Sequence, residues 1–315
     1  MRRRLWRALR PLPDTIRLAL VLGVLMSPGS ACFAGVASPV FQGTITSPTL
    51  CSPRGTALAP GGGLFVGSDC HALHHMEQFD AAGQLIGTWP FPSPTFGGPP
   101  NGVAIDGSGN VFVTDTEGNR ILKCTSSGAF IAGWNGGQDP VDLAVDGSGN
   151  VYVAESGGRQ VRKTTSSGVL LSTFGGSGSS PGQFQRVAGV AVDASGRVYG
   201  ADNVRVRVIR FLANGTFDME FTPPSPPTDV AVGPDGNIYV VSFDGQQAYK
   251  YSPGGVFLQS FGSPLGLDGA YRIVIDSSGL IFITEQTTNR ITKFLIDMST
   301  PATPLTFGRL KAIYR

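Results

Sequence analysis

Charge is scarce in this sequence. Of its 315 residues only 15% are Asp, Glu, Lys or Arg, against roughly a quarter in an average globular chain. Histidine is scarcer still: the three, His71, His74 and His75, fall within five positions. No Gly-x-Ser-x-Gly elbow, phosphate-binding loop or serine–histidine pairing occurs, so the common signatures of serine hydrolases and nucleotide-binding enzymes are missing. No apolar run approaches the roughly 20 residues that span a bilayer. Strict every-third glycine is absent, which excludes collagen. What is abundant is glycine, 44 residues, with 23 prolines. A glycine about every seven residues costs about 1 kcal/mol each inside a helix relative to alanine, so long helices are excluded too. The 41% hydrophobic content is enough to build a core, which sets the chain apart from disordered ones. The composition implies many short strands joined by tight turns.

The first 34 residues read as a targeting segment. Six arginines between Arg2 and Arg17 precede the apolar run Leu18 to Met26 and then Ser27-Pro28-Gly29-Ser30-Ala31. Nine apolar residues suit a secretory signal peptide rather than a membrane span. Cleavage after Ala34 fits the small-x-small pattern at Cys32 and Ala34; a second reading takes residues 1–31 as a lipoprotein leader with Cys32 lipidated. The mature chain is thus expected to be secreted, periplasmic or held at the cell surface, without a transmembrane span. Losing residues 1–34 removes six arginines and Asp14, turning a formal net charge of +2 into −3. A weakly acidic body lacks the basic footprint that nucleic-acid binding needs. Export also permits a disulfide between Cys51 and Cys70, and leaves Cys124 as a buried apolar thiol.

One pattern returns five times plainly: GVAIDGSGNVFV (102–113), DLAVDGSGNVYV (142–153), GVAVDASGRVYG (189–200), DVAVGPDGNIYV (229–240) and RIVIDSSGLIFI (272–283). A sixth, worn copy is GTALAPGGGLFV (55–66). The aspartate position falls at 59, 106, 146, 193, 233 and 276. Before it, small and branched apolar residues alternate at period two, as in a buried strand. Asp106-Gly107-Ser108-Gly109-Asn110 is a hairpin turn whose aspartate bonds amides ahead of it and whose glycines accept positive φ. A β-branched and aromatic strand follows, then a polar loop, a third strand (120–123) and a fourth (130–134). Four strands in roughly 40 residues, repeated six times, predict an all-β, six-bladed β-propeller of four-stranded antiparallel blades. It occupies residues 35–308 as one domain, with a short basic tail at 309–315. Val40 to Ile45 resembles the outermost strand Val256 to Phe261, so the N-terminal segment is expected to complete the last blade. The rival for that place is Pro304 to Phe307.

Phe174-Gly175-Gly176, Pro181-Gly182-Gln183-Phe184 and Gly189 to Asp193 resemble the linker and first strand of NHL-repeat propellers. Asn119-Arg120-Ile121 and Asn289-Arg290-Ile291 are similar to that family's third-strand start. The resemblance covers about residues 40–308 and implies the fold; it does not imply one activity, because fold does not fix function. The family includes binding scaffolds, sensor modules of bacterial kinases, RNA-binding domains and a peptide-amidating lyase.

The six positions that open the innermost strands are Gly55, Gly102, Asp142, Gly189, Asp229 and Arg272, and they should ring the mouth of the central channel. Asp142, Asp229 and Arg272 are therefore the expected ligand contacts, unless Arg272 simply pairs with an aspartate there. Histidines drawn from several blades, as in the amidating lyase, cannot be assembled here, and a lyase of the streptogramin type relies on histidine as well. No catalytic residue, metal ligand or cofactor is assigned; the histidine cluster is read as surface decoration, although His71 and His75 have a spacing that metal sites use. The DGSGN turns lack the terminal glutamate of a calcium-binding EF-hand and read as turn chemistry. Asp115, Glu155, Asp202 and Glu285 should bond loop amides or arginines such as Arg120 and Arg290. Trp89, Phe91 and Phe96 either form a stiff recognition loop or tuck between blades 1 and 2. The function expected is an exported monomeric scaffold that binds a protein, glycan or small molecule through one loop face. The alternative is a lactonase- or lyase-like enzyme with a divalent metal at the axis.

Overall fold

The computed structural model describes residues 38–70, 73–91, 97–262 and 266–298. The segment 1–34 expected to be a leader, with Cys32, His71, Phe96, the segment 304–307 and the basic tail, lies outside the described residues. Every regular element among those described is a strand, and 24 strands form six four-stranded antiparallel sheets. Blades 1 to 5 span 53–90, 103–135, 140–175, 187–221 and 229–261, each in simple meander order. Blade 6 takes three strands from 270–295, and its outermost strand is Val40–Ile45, paired antiparallel with Arg290–Leu295. The first strand of the chain thus closes the last blade, as its likeness to Val256 to Phe261 predicts.

Each innermost strand lies against those of both neighbouring blades, and Pro53–Leu58 meets Ala270–Ile275 to complete the ring. The core is divided accordingly. Six apolar clusters fill the six interfaces between blades. Between blades 3 and 4, Tyr152, Phe174, Phe184 and Phe211 pack with Val187, Val190 and Ile209. Phe184, from the linker that resembles the family pattern, is fully buried there. Burying a ring of this kind contributes about 1.5–3 kcal/mol. Between blades 1 and 2, Trp89 and Phe91 make an edge-to-face pair beside the buried Cys124. The tucked arrangement is the one adopted by these two rings. Burial pushes the Cys124 thiol up to about 11, so it packs as a small neutral apolar group.

The recurrent turns behave as their chemistry requires. Asp106 Oδ1 accepts the amides of Ser108 and Asn110, both at 2.9 Å, while Gly109 takes φ +81°. These turns lie at one end of the blades. The opposite face carries the loops after the second strands and the linkers that lead into the first.

Candidate functional site

On that second face the innermost strands of several blades open with a bulge. The ladder register shifts between Pro140 and Asp142, Val187 and Gly189, and Ala270 and Arg272. A bulge leaves one residue outside the ladder and re-aims its groups. Here the extra residues are Val141, Ala188 and Tyr271, and their blades turn backbone carbonyls or side chains toward the axis.

The structure brings Asp142, Asp229 and Arg272 together at that axis, where they are between 3% and 5% exposed. Arg272 Nε stands 3.2 Å from Asp142 Oδ1. Its guanidinium also donates to the carbonyls of Asn101 (3.1 Å), Val141 (2.6 Å), Ala188 (3.2 Å) and Thr228 (3.1 Å). Those carbonyls belong to blades 2, 3, 4 and 5, so one side chain from blade 6 ties five of the six blades. Blade 1 joins through Thr284 Oγ1, which donates to the Arg54 carbonyl at 3.3 Å. The aspartates tie further pairs: Asp142 Oδ2 accepts the amide of Val190 at 2.8 Å and Asp229 Oδ2 that of Ile273 at 2.9 Å. Burial raises the Asp142 carboxyl, partly offset by the nearby Arg272 charge. Burial together with the Asp142 charge holds Asp229 well above the ordinary aspartate range. Burial works against the Arg272 charge, but Asp142, Tyr271 and Asp229 outweigh it and raise the group.

The remaining ring positions are glycines because there is no room for more. A Cβ on Gly102 would lie 2.6 Å from the Asp142 Cα, and one on Gly189 would lie 2.5 Å from Asp229 Oδ1. Below this cluster the innermost strands line an open channel of about 280 Å³, walled by residues such as Leu58, Val145 and Ile275.

Above it lies a larger basin of about 740 Å³. Its walls include Arg54, Asn101, Tyr271, Arg159, Arg186 and Asp139, together with Gln185 and Val204. On one side every polar group is engaged. Arg54 pairs with Asp69 (2.9 Å) and donates to Asn101 Oδ1 (2.9 Å), the Tyr271 hydroxyl reaches the same Oδ1 at 3.3 Å, and the Tyr271 ring lies beside both the Arg54 and Arg272 guanidinium groups. On the other side, among the described residues, the Arg159 side chain donates to Ser177 Oγ (2.9 Å) alone and that of Arg186 to Ser156 Oγ (3.3 Å) alone.

The basin walls escaped the sequence reading, which stopped at the ring positions themselves. Arg54, Asn101 and Tyr271 each sit one residue earlier, Arg54 and Tyr271 within register shifts of their strands. Arg159 had a visible signal: it stands where blades 2 and 6 have Asn119 and Asn289. Elsewhere, Asp115, Glu155, Asp202 and Glu285 do bond loop amides, and Arg120 and Arg290 pair with Asp115 and Glu285. Cys51 and Cys70 form a disulfide on the same face, with Cα atoms 5.3 Å apart. His74 pairs with Asp69 at 3.0 Å and His75 with Glu77 at 3.2 Å. Among the described residues no group of three or more His, Cys, Asp or Glu side chains is placed to hold a metal ion.

Comparison with known proteins agrees with the fold. The family description "NHL repeat" matches residues 100–124, the start of blade 2. No curated protein matches the chain in sequence. Among solved structures, a catalytically inactive His→Ala variant of virginiamycin B lyase from Staphylococcus aureus, with quinupristin, is similar at TM-score 0.59 and 13% identity, over 78% of this chain and 80% of that one. A streptogramin B lyase is similar at TM-score 0.59 and 16% identity, over 86% of this chain and 90% of that one. At such identities the likeness is one of fold. The chain is a six-bladed β-propeller that carries an NHL repeat.

Proposed function

We propose that this propeller is an exported binding scaffold that takes its ligand in the basin above Arg272. The observation that carries the reading is the basin itself. At about 740 Å³ it falls within the range of small-molecule sites, roughly 300–1,000 Å³, and its loops are held before any ligand arrives. The Ser156 amide bonds the Asp139 carbonyl at 3.0 Å and the Gly157 amide that of Gln138 at 3.1 Å. Beside them the amides of Gln185 and Arg186 are anchored on the buried Asp202 carboxylate. Pre-ordered walls lose less entropy on binding. Asp142, Asp229 and Arg272 serve the site indirectly: their polar atoms are engaged with one another and with the main chain, and Arg272 holds the carbonyls of Asn101 and Val141, which line the basin. Export is supported by the Cys51–Cys70 disulfide, which suits an oxidising compartment.

A lyase reading draws support from the similar solved structures. The variant described as inactive has lost a histidine, whereas the histidines of this chain all fall within residues 71–75 of blade 1. An axial metal would have to compete with the Arg272 guanidinium for Asp142. Binding without turnover is the reading that these residues favour.

Val204 is exposed and lines the basin, so Val204→Trp fills the site without touching a core. A thermal-shift screen of a chemically mixed library against both proteins tests the proposal. Compounds that raise the wild-type melting temperature should lose that effect in the variant. A screen without stabilising compounds, or with compounds that act equally on both proteins, overturns it.

A further inference from the structure

We infer that the basin selects organic anions, through Arg159 and Arg186 on its blade 3–blade 4 side. This rests on the binding reading above and names the ligand class. A guanidinium offers five N–H donors and matches carboxylate or phosphate oxygens two at a time. Arg272 shows what a fully used guanidinium looks like in this fold: four carbonyls and a carboxylate surround it. Arg159 and Arg186 each spend one donor on a serine hydroxyl. Among the described residues neither has a carboxylate within ion-pair distance. Both are exposed and both line the basin.

Arg159 is also placed where another residue would serve the fold better. The last residue of this loop is left-handed in five blades, at Asn119 (φ +51°), Arg159 (+53°), Val206 (+53°), Gln246 (+49°) and Asn289 (+51°). Asparagine is favoured in that conformation over long side chains. In blades 2 and 6 its side chain also holds the next blade: Asn119 Oδ1 accepts the Asp139 amide at 2.8 Å, and Asn289 Oδ1 accepts the Ser52 amide at 2.7 Å. Blade 3 forgoes both advantages and presents a cation instead. Two positions earlier the same loop carries Gly157, where the corresponding residue in blade 2 is Glu117. A Cβ at Gly157 would come within 2.6 Å of Asp139 Oδ2, so the glycine makes room for the Asp139 side chain at the basin wall.

The charge balance points the same way. The basin walls carry Arg54, Arg159 and Arg186 against a single carboxylate, Asp139. Arg54 is already matched by Asp69, which leaves the excess positive charge on the other two. This occurs in a body whose formal charge without the leader is −3. A cationic concavity in a weakly acidic protein concentrates anions locally. The ligand that fits is a small organic anion carrying a carboxylate or phosphate group, its charged end between Arg159 and Arg186 and its remainder toward Tyr271.

Calorimetric titration of the full chain with citrate, glucose 6-phosphate, inorganic phosphate and glucose tests this. Citrate or glucose 6-phosphate should bind one per chain, and glucose should not. Citrate alone would assign the site to carboxylates, and glucose 6-phosphate alone to phosphate esters. Arg159→Ala and Arg186→Ala should each weaken binding about tenfold. Arg159→Lys should recover only part of the loss, and salt should weaken the wild type. Glucose binding as well as glucose 6-phosphate, or affinities unchanged in both arginine variants, overturns the inference. Neutral compounds that bind and are lost in Val204→Trp but not in the arginine variants would sink the anion assignment and leave the binding scaffold standing. If none of the four probes binds, the anion assignment falls, and the library screen decides the scaffold separately.

Discussion

Arg272 and the pair Arg159–Arg186 put the same side chain to opposite uses on one face of the propeller. Arg272 is buried, its donors are taken by carbonyls from four other blades, and its charge is met by Asp142. Arg159 and Arg186 are exposed and nearly unspent. A buried cation has to be paired and hydrogen-bonded, because desolvation costs several kcal/mol otherwise. An exposed cation carries no such demand, so a surface arginine without a partner costs the fold almost nothing and stays available. The contrast separates what holds the ring from what the ring presents.

The strongest way to break the comparison is at the axis. Arg272→Leu removes the cation and leaves four carbonyls and the Asp142–Asp229 pair without their donor. We expect a loss of about 3–5 kcal/mol, read as a drop in the urea midpoint. Restoring part of it with Asp142→Asn in the same chain would show that the uncompensated carboxyl carries much of the penalty. If Arg272→Leu unfolds at the wild-type midpoint, the axial cluster is not a fastening. Next in size is the disulfide. Cys51 and Cys70 are 19 residues apart, and closing a loop of about that length contributes about 3 kcal/mol by the chain-entropy argument. Cys51→Ser with Cys70→Ser should therefore lower the midpoint by somewhat less than the Arg272 change, and reductant should do the same to the wild type but not to the double variant.

The axial carboxyls add a pH signature that the exposed pair lacks. Asp229 is raised well above its ordinary value of 3.8, so the folded protein holds that proton more tightly than the unfolded chain. Its contribution is fully present below about pH 4 and is lost as pH rises through the folded-state value. Burial pushes Asp146 and Asp235 up, but the hydrogen bonds of Asn150, Tyr152 and Ser148 on the one and of Asn237, Tyr239 and Lys250 on the other together lower them, and they act in the opposite sense. Comparing wild type with Asp229→Asn isolates the one group. The variant should match wild type near pH 4, gain on it as pH rises toward the folded-state value, and hold a constant lead above it. A constant difference across that range would mean that Asp229 does not hold its proton.

How far the sequence could foresee this arrangement follows from how local each feature is. The turn at 106–110 is settled by its own five residues, and its sixfold return is enough to count blades and to place the ring Gly55, Gly102, Asp142, Gly189, Asp229, Arg272. Strand closure by Val40–Ile45 was legible because that segment carries an outer-strand pattern without a blade of its own. The bulges at Val141, Ala188 and Tyr271 were not legible, because a bulge is a mismatch between two strands and neither strand records it alone. That one-residue offset decides whether position 271 or 272 looks into the basin. It is why Arg54 and Tyr271 were overlooked while the ring residues, read as an open mouth, proved to be engaged with one another. Arg159 was legible in principle as the arginine at a position where Asn119 and Asn289 stand.

The smallest expected effect sharpens the comparison most. Arg159→Ala and Arg186→Ala remove exposed side chains that each make one bond to an exposed or half-buried serine, so each should leave stability within about 0.5 kcal/mol of wild type. Arg159→Asn goes further, since it installs the residue that blades 2 and 6 use at a left-handed position. If the arginine is there for a ligand at the expense of the fold, this substitution should raise the melting temperature slightly while weakening anion binding about tenfold, as Arg159→Ala does. A loss of stability instead would show that Arg159 belongs with Arg272 among the residues that hold the blades together, and the division between fastening and presenting arginines would no longer hold.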